Sequence, residues 1–158
     1  VTRAVITWTA TRLKEKDAVL DPLWLHQGVE RYAKHIQQLI VKTRAIDSAP
    51  VFLTQPMLFE DTHQWRSYEG MPAWVAGTQQ SISAATLASL MTRYNDTLQR
   101  VCAAEGALCF DLASAVGHDP LLFVDSCHFT DLGAERVAQE SARFLTPVIA
   151  TNPICREN

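Results

Sequence analysis

LQRVCAAEGALCFDLA, residues 98–113, is the stretch whose reading decides the fold: it reads as a helix end, a stop, a buried strand and a turn. Gly106 stands where a helix closes in the left-handed conformation that a side chain resists. Upstream, Leu87, Leu90, Met91, Tyr94, Leu98, Val101 and Cys102 recur at steps of three and four, so they share one helix face. Downstream, ALCFDL (107–112) is a short continuous apolar run, the pattern of a strand covered on both faces, as parallel sheets produce. A second such run, VFLT (51–54), is closed by Gln55-Pro56.

Working outward, Asp21-Pro22 opens a helix, with Asp as N-cap and Pro at the first helical position. Leu25, Val29, Tyr32, Ile36, Leu39 and Ile40 place its apolar face, and the pattern runs to about Thr43. RAVITW (3–8) reads as a further short strand. From about Pro56 to Ser81 no period is sustained, yet Trp65, Tyr68, Met71, Pro72 and Trp74 occur there, so a long aromatic loop is expected. The last helix is expected to start at Thr130 as N-cap, with Asp131 favouring its N-terminal dipole, and to end near Pro147. Leu132, Val137 and Phe144 would face the core. The alternation of strands and helices predicts an α/β fold with parallel strands and helical crossovers, in a single domain over 1–158. Ligands of such sheets sit at the carboxyl ends of the strands, where Pro56 to Ser81, Asp111 and residues 123–128 would converge.

Composition narrows the function. A chain of 158 residues with 47% hydrophobic and 20% charged residues is an ordinary soluble domain, and no apolar run approaches the ~20 residues of a membrane helix. A net charge of -3 with scattered Lys and Arg offers no basic stripe, so nucleic acid is not an expected partner. The four cysteines, Cys102, Cys109, Cys127 and Cys155, are too spread for a disulfide scaffold and lack the close pairing of a zinc site. Neither metal nor cofactor is expected. The chain opens at Val1 with no readable targeting signal.

The chemistry concentrates in FVDSCHFTDLGAERVA, residues 123–138. Asp125 and His128 lie three apart in a loop before a helix. That spacing lets a carboxylate reach back to the imidazole Nδ1, fixing the tautomer so that Nε2 faces a nucleophile as general base. Asp125-Ser126-Cys127-His128-Phe129-Thr130 with Gly133 resembles the last sequence block of the SGNH hydrolases, also called GDSL esterases and lipases. VFLTQP (51–56) is similar to the strand before that family's variable loop. RYNDTLQRVCAAEGALCFDLASAV (93–116) is similar to the helix and strand before its final block.

The resemblance implies a three-layer, flavodoxin-like sheet with strand order 2-1-3-4-5, and a Ser-His-Asp triad acting on carboxyl esters. It implies that His128 is the general base and Asp125 its orienter. The family's G-D-S turn and G-x-N segment have no counterpart here: Ile46-Asp47-Ser48 precedes the VFLT strand, at the wrong end of a sheet, and RAVITW carries neither Gly nor Asn. The chain is therefore expected to be the C-terminal portion of such a hydrolase, incomplete on its N-terminal side and inactive alone. It would expose a sheet edge prone to self-association. The competing expectations are a non-catalytic degenerate relative and a flavodoxin-like binding domain.

The remaining residues have plainer readings. Ser126 and Cys127 adjoin His128, but loop neighbours are expected to point apart. His118-Asp119 with Asp125 and His128 read as a turn pair and a catalytic pair rather than metal ligands. His63, Trp65, Tyr68 and Trp74 either wall an acyl or glycan pocket, for a small-molecule ester substrate, or form an aromatic mini-core. Asp111 is expected to bond nearby loop backbone, Asn95 to lie on the surface, and His26 and His35 to be solvated.

Overall fold

The computed structural model describes residues 22–58, 72–75, 78–81 and 84–151. RAVITW, His63, Trp65, Tyr68 and Cys155 lie outside the described residues, as does the side chain of Trp74.

Helix α1 (Pro22–Arg44) leads into strand β1 (Val51–Leu53), and a hairpin of β2 (Pro72–Val75) and β3 (Thr78–Ser81) follows. Then come α2 (Ala84–Glu105), β4 (Leu108–Phe110), a short α3 (Leu112–Val116), a 3-10 turn at Pro120–Leu122, and α4 (Asp131–Thr151). β1 and β4 pair in parallel, Val51 with Leu108, Phe52 with Cys109, and Leu53 with Phe110. Among the described residues no further strand joins them.

This corrects the expected architecture: the described residues are mostly helical, the parallel sheet among them has two strands, and they do not form a three-layer flavodoxin-like fold. The apolar runs are real strands but short. Just past them Thr54 N–H donates to Phe110 C=O at 3.1 Å, and the side chains of Thr54 and Asp111 then bond each other and the start of α3. Pro120–Leu122 folds as a 3-10 turn, with Asp119 accepting from the N–H of Leu121 at its start. Within the stretch expected to be all loop, β2 and β3 pair antiparallel, with Val75 opposite Thr78.

Two apolar clusters flank the strand pair. On one side Ile36 and Ile40 of α1 meet Leu98, Val101 and Cys102 of α2, with Phe52 and Cys109 packed against them. On the other, Leu58, Leu112, Val116, Leu122 and Phe123 form a second core, joined by Phe110, Phe129 and Val137. Cys109 and Phe110 face opposite clusters because successive strand residues alternate. Phe110 also stacks on Phe144 of α4, with ring centroids 4.7 Å apart. Leu39 and Leu132, both expected in the core, are 51% and 54% exposed.

The helix ends follow local chemistry. Gly106 adopts φ 61°, and Ala107 N–H donates to Cys102 C=O at 2.9 Å, the six-to-one bond of a left-handed helix stop. Arg44 donates to the carbonyls of Glu105 and Gly106 at 2.8 and 3.1 Å, placing a cation at the negative end of α2. α4 begins where expected, the Thr130 hydroxyl accepting from Gly133 N–H at 3.1 Å. It continues through Pro147 to Thr151, beyond the expected end.

Candidate active site

The loop from Val124 to Phe129 is closed at both ends. Val124 N–H donates to His128 C=O at 2.7 Å, Thr130 N–H donates to Leu122 C=O at 3.0 Å, and Phe123 and Phe129 bridge between them. Both phenyl rings enter the second core, 5.1 Å apart, so apolar packing holds the base of the loop. Its flank is tied to the chain after β1, where Leu58 N–H donates to Ser126 C=O at 2.9 Å. Gly133 lets α4 approach this loop: a Cβ there would overlap the Leu122 carbonyl oxygen and lie 2.8 Å from its carbon. The Gly of the motif is thus a packing requirement.

Inside the loop, Asp125 is the organising residue. Its Oδ1 accepts the backbone N–H groups of Cys127 and His128 at 2.9 and 2.8 Å. That turn directs Oδ2 to Nδ1 of His128, 2.6 Å away. A carboxylate only accepts, so Nδ1 donates and the neutral ring carries its lone pair on Nε2. The Asp125 side chain is 14% exposed and that of His128 75%, so the carboxylate is sheltered while the ring reaches solvent. The structure brings Asp125 and His128 together as the spacing requires.

Cys127 departs from expectation. Its Sγ lies 3.7 Å from His128 Nδ1, on the same side of the loop as the carboxylate. The backbone turn around Asp125 Oδ1 curls residues 125–128 so tightly that neighbours converge. Burial, then the negative charge of Asp125, pushes the Cys127 thiol up, so at neutral pH it is a protonated, weak nucleophile. It sits at Nδ1, not at Nε2. The N–H groups of Cys127 and His128 are spent on Asp125, so they cannot form an oxyanion hole.

The strand ends carry a second polar cluster. Asp111 accepts from the hydroxyl of Thr54 at 2.8 Å and from the hydroxyl and N–H of Ser114 at 2.6 and 3.2 Å. Partial burial pushes its carboxyl up, but the bonds from Ser114, Thr54 and Gln99 outweigh this and hold it below the ordinary range. Asn95 is not a bare surface residue: its side chain exchanges two 3.0 Å bonds with the backbone of Gln55, pinning α2 to the end of β1. Asn95, Gln99, Asp111, Ser114 and His118 line a groove of about 370 Å³ beyond the carboxyl ends of β1 and β4. Neither Asp125 nor His128 lines that groove. Asp47-Ser48 lies at the opposite end, in the turn between α1 and β1.

Of the residues expected to wall a substrate pocket, Trp65 and Tyr68 lie outside the described residues, and Trp74 is placed on β2 by its backbone alone. Among the described residues no helix is long and apolar enough to cross a membrane. No protein-family model, curated protein or solved structure matches this chain.

Proposed function

We propose that this chain supplies the acid–base half of a serine hydrolase of the SGNH (GDSL) type acting on small carboxyl esters, with His128 as general base and Asp125 as its orienter. The observation that carries the reading is the 2.6 Å contact between Asp125 Oδ2 and His128 Nδ1 in a ring that is mostly exposed. Asp125 stabilises the imidazolium formed when Nε2 takes a hydroxyl proton. The serine and oxyanion donors must be delivered to the Nε2 face by a segment that associates with this one. Among the described residues β1 and β4 pair only with each other, and an edge left so would offer it a place to add, or a route to self-association. A net charge of -3, with Lys and Arg scattered along the sequence, does not favour a nucleic-acid partner.

The test is ester turnover by the assembly that carries the serine. There His128→Ala is expected to lower kcat by about 10^6-fold and Asp125→Asn by about 10^4-fold. Turnover indifferent to both substitutions refutes the reading. The 158-residue chain by itself is expected to hydrolyse p-nitrophenyl acetate no faster than its His128→Ala control. Turnover abolished by that substitution would place the nucleophile within these residues.

A further inference from the structure

Three side chains in the loop before α4 present ligand atoms to one point: Nδ1 of His128, Sγ of Cys127 and a carboxylate oxygen of Asp125, all within 4.8 Å of one another. We infer that this loop is a binding site for a divalent transition metal, zinc by preference, held by Asp125, Cys127 and His128 with water completing a tetrahedron. Thiolate, imidazole and carboxylate are the donors that zinc takes, and the mixed soft and hard set disfavours magnesium and calcium.

The geometry is close to what coordination needs. Zinc bonds of ~2.0–2.1 Å to nitrogen and ~2.3 Å to sulfur put tetrahedral ligands roughly 3.5 Å apart. The observed 3.7 Å between Sγ and Nδ1 meets that spacing. The 2.6 Å between Oδ2 and Nδ1 is a proton-bridged distance and must open by about 0.7 Å when the metal replaces the proton. A small side-chain rotation suffices, because the loop backbone is already fixed by the bonds from Val124, Leu58 and Thr130. Preorganisation lowers the ordering cost that weakens most short chelating loops. The exposed face of the ring leaves room for the water.

Binding is balanced by one proton. The Cys127 thiol releases its proton to solvent, and the imidazole proton moves through water from Nδ1 to Nε2 as the Nδ1 lone pair goes to the metal. A ring protonated at Nε2 cannot accept a proton there. Metal occupancy and general-base action are therefore mutually exclusive, so the metal would switch the dyad off. That consequence rests on the hydrolase reading; the binding itself does not.

The experiment uses the 158-residue chain stripped with a chelator and titrated with Co²⁺, which reports sulfur ligation by a near-ultraviolet charge-transfer band. One equivalent is expected to give the band, and Zn²⁺ to displace it. Cys127→Ala and His128→Ala are each expected to abolish it, and Cys155→Ser to leave it intact. Asp125→Asn is expected to weaken binding at least ~10-fold, since loss of outer-sphere partners alone costs ~10–100-fold. Nitrogen NMR of the wild-type ring provides a readout free of variant folding: Zn²⁺ should shift Nδ1 and move the ring proton from Nδ1 to Nε2. No band, a band that survives Cys127→Ala, or coordination through Nε2 overturns the proposal. Metal binding without ester turnover in any assembly would sink the hydrolase reading and leave this one standing.

Discussion

Gly133→Ala is the substitution whose consequence the structure fixes most tightly. An added Cβ would overlap the Leu122 carbonyl oxygen and stand 2.8 Å from the carbonyl carbon and 3.1 Å from Phe129 Cβ. Carbon atoms rest at ~3.5–4.0 Å, so α4 must withdraw from the 3-10 turn by about 1 Å. That withdrawal strains two bonds, Thr130 N–H to Leu122 C=O at 3.0 Å and the Thr130 hydroxyl to Leu121 C=O at 2.8 Å. Overpacking costs ~1–3 kcal/mol and each weakened bond ~1 kcal/mol. The alanine recovers up to ~1 kcal/mol of helix propensity. The net expectation is a loss of about 2–4 kcal/mol, near 4–16 °C in Tm for a chain of this size. Urea unfolding followed by circular dichroism measures it. A variant as stable as wild type would refute the claim that this glycine is required by contact.

Two further substitutions probe the strand ends. Thr54→Val removes a hydroxyl that is 1% exposed, donates to Asp111 and accepts from Ala113 N–H at 2.9 Å. Two polar groups then lose their partner, so a loss of about 2–4 kcal/mol is expected in denaturant titration, and a change under 0.5 kcal/mol would contradict the burial argument. Asp111→Asn tests the depressed carboxyl. Its folded-state pKa lies below the unfolded value, so its contribution is present above ~pH 4 and is lost as pH falls through the folded value. The stability gap between wild type and Asp111→Asn should shrink on acidification from pH 7 to pH 3. A gap that widens with acid would show the sign to be wrong.

Local signals in the sequence were the legible ones. The stop at Gly106, the cap at Thr130 and the 3.6-residue stripe of α2 each depend on residues within a few positions, and the structure carries all three. Sheet size was not legible, because a continuous apolar run states that a strand is covered and not how many partners it has. Among the described residues, VFLT and ALCFDL are covered largely by helices and not by further strands. The hairpin at Pro72–Ser81 was missed because Ala76-Gly77 is a weak turn signal and Thr78–Ser81 has no apolar alternation. At the site, the three-residue spacing foretold the Asp125–His128 contact. The approach of Cys127 to the same ring depends on both N–H groups being taken by Asp125 Oδ1, which no spacing rule encodes. Asn95 was misread for a similar reason: its partner is backbone 40 residues away.

The central claim is that one sheltered carboxylate sets the tautomer of one exposed imidazole. Long-range nitrogen–proton NMR on the chelator-treated chain reads this directly from the two ring nitrogens of His128. The structure predicts a neutral ring with its proton on Nδ1, reverting to the solution-like Nε2–H form in Asp125→Ala. A wild-type ring that carries its neutral-form proton on Nε2 would contradict the account.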